Sequence, residues 1–441
     1  MRYIMMVVAV AATFYSITVQ AQDTTILRLN RFLEMVEQEE MVMGNISVFH
    51  SGKEICSKAM GFRDVEHGVR ADLETRYRVG SVSKTFCAVV ILRLVEEGKL
   101  SLQDRLSRFF PSVQGSENIS IEQMMRHRSG LKNFLETPDY IHWKQQVHTR
   151  EQLLIRIETA GLSFDTPDSK AEYSNSNYAL LAMIAEQVSG KSYSALVREY
   201  ITDPLGLSAT RAEGNIEPKE NEALSYRRSS EWSFAGYTDS SILLGAGDVI
   251  STPTELNKFI SALMSGKLLS SASLVKMLEL KEKYGMGILP LYFNDKVAYG
   301  HTGGIDGYAS ALFYFPDSGY SYAYTFNGVQ EDLSVVVAGL VSAIYDMPWQ
   351  KPQPDDPSTY YRYEGIYVSS DFPLPIFIGV QEGKLMAQAL GQSSFPLKGA
   401  GKGVFVFVPA AIRVIFEPEK DEMLFLQGGF QIRMKKMSKQ P

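Results

Sequence analysis

Four prolines, Pro348, Pro352, Pro354 and Pro357, fall within ten residues among Gln, Lys and Asp. Proline lacks a backbone N–H and clashes with the preceding turn, so neither a helix nor a central strand can run through that stretch. The chain is therefore expected to fold as two bodies, over 25–346 and 361–437, joined by a linker over 347–360. With 441 residues, 45% hydrophobic and 21% charged, it has material for two cores.

Beyond the prolines, Val404–Val408, Ala411–Phe416, Met423–Gln427 and Phe430–Met434 are short apolar or alternating runs bounded by Gly, Pro and acidic residues. That spacing predicts strands of a small all-β domain. In the first body, a β-rich start at Asn45–His50, a helical middle over about 85–265 and late strands at Ala309–Phe315 and Tyr320–Asn327 predict an α+β fold. A helix over Leu333–Tyr345 is expected to return onto the sheet. Ahead of it, Arg2, the apolar run Ile4–Phe14 and Val19-Gln20-Ala21 read as a signal peptide over 1–21. Ser16, Thr18 and Gln20 break the run before about twenty apolar residues accumulate, so a stable membrane anchor is not expected. The destination is the periplasm or the exterior.

Three short strings carry the chemistry: Ser81-Val82-Ser83-Lys84, Tyr173-Ser174-Asn175 and His301-Thr302-Gly303. Ser81 opens an apolar run to Val95 that Gly98 stops, which puts the serine at a helix start and Lys84 one turn on, within reach of its hydroxyl. Free N–H groups at such a start favour the negative charge that builds during acyl transfer. Similar strings at Ser129–Lys132, Ser273–Lys276 and Tyr292–Asn294 lack this context. A serine needs a base, and ordinary lysine and tyrosine values near 10 are too high, so burial and mutual proximity must lower one of them. Lys84 and Tyr173 are treated as one coupled base, with either able to be the acting form.

In this order the strings resemble the serine β-lactamase-like, penicillin-recognising hydrolases of the class C type, a family that includes DD-carboxypeptidases, D-aminopeptidases and esterases. Gly98–Leu102 with Asp104, His127–Leu131, Asp203–Leu207 and Gly245–Thr252 are also similar to its recurrent segments. The resemblance implies an antiparallel sheet flanked by helices with a helical subdomain, the cleft between them, and an appended β-barrel domain. It also implies Ser81 as the acylated nucleophile, Lys84 as its proton partner and Tyr173 as the shuttle to the leaving group. Asn175 would bind Lys84 and the substrate amide, His301 and Thr302 would start the strand lining the cleft beside Gly303, and the N–H groups of Ser81 and Gly304 would form the oxyanion hole. Many β-lactamases of this group carry lysine where His301 stands. A histidine titrating near 6.5 offers a substrate carboxylate a weaker cation, which favours peptide or ester hydrolysis over efficient β-lactam hydrolysis.

Other classes are disfavoured. Six scattered histidines and two cysteines, Cys56 and Cys87, make no zinc pattern, and no cofactor is expected. Export would permit a disulfide, but two buried thiols are the expectation. His127, between Arg126 and Arg128, reads as a structural or surface histidine. A net charge of −6 argues against nucleic acid as a partner. The partner is a small-molecule or peptide substrate, with peptidoglycan-derived material among the options. A weak β-lactamase and a catalytically silent penicillin-binding or sensing protein are the alternatives.

Overall fold

The computed structural model describes residues 24–407, 410, 412–427 and 430–437; the expected signal peptide lies outside them. The chain divides into two compact units, one running to Arg227 and resuming over Trp232–Gly328, the other comprising Arg228–Glu231 and the chain from Val329 onward.

The first unit is built on a six-stranded sheet in the order Lys53–Met60, Val42–His50, Tyr320–Val329, Tyr308–Phe315, Lys296–Ile305, Leu289–Phe293. The first two strands pair antiparallel, and antiparallel hairpins join the last four. Tyr320–Val329 is buried along almost its whole length, as befits an interior strand with cover on both faces.

Helix Ser83–Glu96 buries eleven of its fourteen residues, and a helix apolar on all sides can be stable only inside a core. Phe86 stacks on Phe259 of helix Pro253–Met264 at 3.9 Å between ring centroids. That second helix starts at a capping Thr252 with Pro253 as its first residue, a pairing that supplies an acceptor where the backbone has spare donors and a fixed φ where none is needed. Its Asn257 donates to the Ser47 carbonyl at 2.9 Å and so ties the helix to the sheet. Helix Asn175–Ser189 packs on Ser83–Glu96 within the same core and stops at Gly190, whose φ of +68° suits a residue without Cβ.

The second unit holds helix Leu333–Tyr345 and a closed barrel of eight strands, Gly365–Ser369 through Phe430–Lys436. Four of these strands were legible in the sequence. The other four, Gly365–Ser369, Phe372–Gln381, Lys384–Ala389 and Phe395–Gly401, carry prolines, glycines and lysines that dilute the alternation. The expected linker over 347–360 is only partly irregular: Pro357–Tyr363 forms a 3₁₀ segment that buries Tyr360 and Tyr363 in the barrel core. Proline at its first turn is compatible with that geometry, and two tyrosines three residues apart share one face. The unit division falls at Gly328/Val329 rather than at the prolines, so helix Leu333–Tyr345 is grouped with the barrel.

Candidate active site

Gly80–Val82 forms a 3₁₀ turn that runs directly into helix Ser83–Glu96. Lys84 lies three residues beyond Ser81, and its Nζ stands 3.1 Å from Ser81 Oγ. The same Nζ lies 2.7 Å from Asn175 Oδ1 and 2.8 Å from the Ala246 carbonyl oxygen. Asn175 is the first residue of its helix, and Asn133 Oδ1 accepts from both its backbone N (3.3 Å) and its Nδ2 (3.2 Å). With Nδ2 directed at Asn133, Oδ1 is left to face Lys84. Tyr173, two residues before that helix, donates its hydroxyl to Ser81 Oγ at 2.7 Å.

Burial decides the protonation states. Lys84 is fully enclosed, and loss of hydration pulls its ammonium from 10.5 down to about 7, against the opposing pull of Cys87 and Asp248. The same desolvation pushes the Tyr173 phenol well above its ordinary value, and the hydrogen bond to Ser81 offsets only part of the rise. The proton therefore stays on the phenol and the lysine becomes the group able to lose its own. A neutral amine has two N–H bonds and one lone pair. Asn175 and Ala246 take the N–H bonds at the two shorter distances, which leaves the lone pair for Ser81 at the longest.

Asp248, behind Lys84, is raised to about 7 by burial, with the Gly245 N–H on Oδ2 at 3.0 Å opposing the rise. Neither Ala246 O, a backbone atom, nor Asp248, one acid among many, leaves a mark in the sequence.

His301-Thr302-Gly303 sits in the second half of strand Lys296–Ile305 rather than starting it. Successive residues of a strand face opposite ways: His301 is buried, whereas Thr302 and Gly304 are exposed. Burial, and then the Lys84 charge, lower His301 to about 3, although its ring nitrogen Nδ1 lies 2.6 Å from the Thr302 carbonyl. The ordinary value near 6.5 expected at this position is thus lowered, and the ring, expected to be largely neutral at pH 7, is neutral across the working range. Gly303 is obligatory on steric grounds, because a Cβ there would overlap Val79 O and Ser310 Oγ and stand 3.0 Å from Ser81 N. A Cβ on Gly80 would likewise stand 3.0 Å from Gly304 N. The backbones bearing the Ser81 and Gly304 N–H groups therefore run in direct contact.

Past Gly304 the strand turns at Asp306, which Lys144 neutralises at 2.8 Å, and a pocket of about 270 Å³ opens there. Ile216, Leu224, Phe234, Tyr237 and Tyr308 supply apolar walls and Arg78 a cation. The look-alike strings lie in other roles: Ser129 donates to Asn177 Oδ1, Ser273 belongs to the capped start of helix Ser271–Leu278, and Tyr292 is exposed. Cys56 and Cys87 are both buried free thiols. Among the described residues no group of three or more His, Cys, Asp or Glu is arranged to hold a metal ion, and no helix is long and apolar enough to cross a membrane.

The chain is similar to several known proteins. The teichoic acid D-alanine hydrolase of Staphylococcus aureus (strain MRSA252) is 29% identical over 252 residues, which is 57% of this chain and 60% of that protein. The crystal structure of the D-amino acid amidase of Ochrobactrum anthropi SV3 with D-phenylalanine superimposes with a TM-score of 0.64 at 25% identity, covering 72% of this chain and 99% of that one. The octameric penicillin-binding protein homologue of Pyrococcus abyssi shares the fold over 92% of this chain and 99% of its own, with a TM-score of 0.66 at 21% identity. The β-lactamase family model matches residues 30–343, and the chain is a serine hydrolase belonging to that family.

Proposed function

We propose that the protein is an exported hydrolase that opens D-amino-acid-containing peptides, amides or small esters through an acyl-enzyme on Ser81. The observation that carries this reading is the placement of Ser81 Oγ between a phenol hydroxyl at 2.7 Å and an amine at 3.1 Å whose value burial has brought to about 7. Neutral Lys84 takes the Ser81 proton as Oγ bonds to the carbonyl carbon. The oxyanion so formed is held by the Ser81 and Gly304 N–H groups. As the bond to the leaving group breaks, the Tyr173 hydroxyl gives its proton to the departing oxygen or nitrogen and is reprotonated from Lys84. Water then attacks the ester carbonyl and passes its proton to the same pair, which returns it to Ser81 Oγ as the bond to the acyl group breaks and the acid departs.

The choice of a D-aminoacyl group rests on similarity to a D-alanine hydrolase and a D-amino acid amidase. The apolar pocket beyond Gly304 has room for such a group or its leaving partner. A neutral His301 supplies no cation for the carboxylate of a β-lactam, which places efficient β-lactam hydrolysis behind peptide, amide or ester hydrolysis. Export rests on residues 1–21.

Intact-protein mass spectrometry after treatment with a fluorophosphonate should show one adduct, absent in Ser81→Ala. Turnover of D-alanyl esters and D-amino acid amides should exceed that of their L-enantiomers and of a chromogenic cephalosporin. An adduct that survives in Ser81→Ala removes the nucleophile assignment, and equal rates on both enantiomers remove the D-aminoacyl assignment.

A further inference from the structure

His127 is 2% exposed and adopts a left-handed backbone with φ of +56°, a conformation that a histidine takes only at some expense in strain. Its surroundings show what the strained turn accomplishes. The His127 carbonyl accepts from the Glu172 backbone N at 2.8 Å, and its Nδ1 accepts from the Ser174 backbone N at 3.1 Å. Its ring lies against the ring of Tyr173 at 4.4 Å between centroids and 31° between planes. One residue thus holds the backbone N–H groups of the residues on either side of Tyr173, Glu172 and Ser174, and packs on the Tyr173 side chain itself. Tyr173 needs that support, because it precedes helix Asn175–Ser189 and lies outside regular structure.

The neighbours of the ring fix its state. Lys84, His301, Tyr178 and Tyr284 surround it together with Tyr173. Burial holds His127 well below the usual histidine value, and protonation of Lys84 or His301 would push it the same way. The imidazole is therefore neutral, with its proton on Nε2 and its Nδ1 lone pair directed at Ser174 N. A neutral ring adds no positive charge beside Lys84, and so does not oppose protonation of the amine during the reaction.

We infer that His127 is a positioning residue for the reaction: it clamps the 172–174 segment so that the Tyr173 hydroxyl stays within hydrogen-bond reach of Ser81 Oγ. The inference rests on the acylation of Ser81 proposed above, which a wild-type burst checks first.

Two variants separate the parts of the clamp. His127→Asn keeps an acceptor near the Nδ1 position and tolerates the left-handed backbone but removes the ring. His127→Phe keeps a ring but removes the acceptor and leaves Ser174 N unpaired. Each is compared with wild type in single-turnover acylation by an activated ester, with rates normalised to active sites titrated by the burst, and again in a Tyr173→Phe background. Displacing a reacting group by a fraction of an ångström to 1 Å lowers rates by about tenfold to a hundredfold.

His127→Asn should therefore acylate at least about tenfold more slowly per titrated site, with substrate affinity within about twofold of wild type. It should change the rate by less than about twofold once Tyr173 is Phe, since residues acting as one unit are not additive. His127→Phe serves as a second measure of the same loss if it folds, and His127→Asn stands alone if it does not. A wild-type rate per site in His127→Asn overturns the inference. So does an equal loss with and without the Tyr173 hydroxyl, or a loss confined to burst amplitude and melting temperature, because each describes a residue that merely supports the fold. Absence of a burst in the wild type overturns this inference together with the acyl-enzyme reading, whereas a burst insensitive to His127 overturns this inference alone.

Discussion

Replacing Lys84 by Met should exchange catalysis for stability in a pH-dependent way. Lowering the lysine from 10.5 to about 7 corresponds to a penalty of about 5 kcal/mol on the charged form, at about 1.4 kcal/mol per pH unit. Below pH 7 the amine is protonated in both folded and unfolded chains, and the whole penalty stands. Between pH 7 and 10.5 the unfolded chain still holds a proton that the folded chain has released, so wild-type stability rises with pH. From pH 6 to pH 9 the gain is about 3 kcal/mol.

Methionine has no such proton. It leaves Asn175 Oδ1 and the Ala246 carbonyl without the Lys84 donor, an offset of about 1–3 kcal/mol each that does not vary with pH. Asp248 titrates in both proteins and largely cancels in the difference. The stability of Lys84→Met minus that of wild type should therefore decrease by about 3 kcal/mol between pH 6 and pH 9, whatever its absolute value. Urea unfolding at pH 6, 7, 8 and 9, followed through buried Trp143, measures it. A difference that stays constant within about 0.5 kcal/mol would show that the buried amine is not the depressed group, and the assignment of Lys84 as the neutral base would fall with it.

The same ionisation should appear in kinetics, where kcat/KM rises with pH through about 7 for neutral and carboxylate-bearing substrates alike, because His301 at about 3 is already uncharged; a KM that worsens across pH 6–7 for carboxylates only would restore the imidazolium. Tyr173→Phe should slow acylation by about a hundredfold or more with little change in melting temperature, and combining it with Lys84→Ala should add little further; full additivity in rate measurements would mean independent roles. Gly303→Ala should abolish burst acylation because its methyl overlaps Val79 O and Ser310 Oγ, whereas Gly304→Ala, whose nearest described neighbour is Tyr308 O at 3.9 Å, should fold with a wild-type melting temperature; a fully active Gly303→Ala would refute the close backbone approach.

The strings around Ser81, Tyr173 and His301 were legible because each couples a reactive side chain to a local signal: a helix start, a helix entry, a pair of glycines. What remained hidden was carried by atoms without sequence signatures. The Ala246 carbonyl that takes a Lys84 proton is a backbone group, and Asn133, which turns Asn175 toward Lys84, is 42 residues away from it. A neutral His301 at pH 7 was legible from residue type, but how far its value falls below 6.5 follows from burial beside Lys84. The barrel was half seen: Val404–Phe407 and its successors alternate cleanly, while Phe372–Gln381 contains Pro373 and Pro375, which a reading of single strands discards.

The order of strands in the six-stranded sheet constrains how the molecule is made. Val42–His50 lies beside Tyr320–Val329, so one of the first strands to be synthesised has a free edge until one of the last emerges. At the roughly 5–20 residues per second typical of translation, the 269 residues between His50 and Tyr320 take tens of seconds. During that time the early hairpin Val42–Met60 offers unpaired N–H and C=O groups to any passing chain. Contacts this distant in sequence also close slowly once synthesis is complete. Because Lys296–Ile305 is part of the same late-arriving set of strands, the segment carrying Gly304 cannot meet Ser81 until the sheet is nearly complete, and partly made chains should be hydrolytically inert.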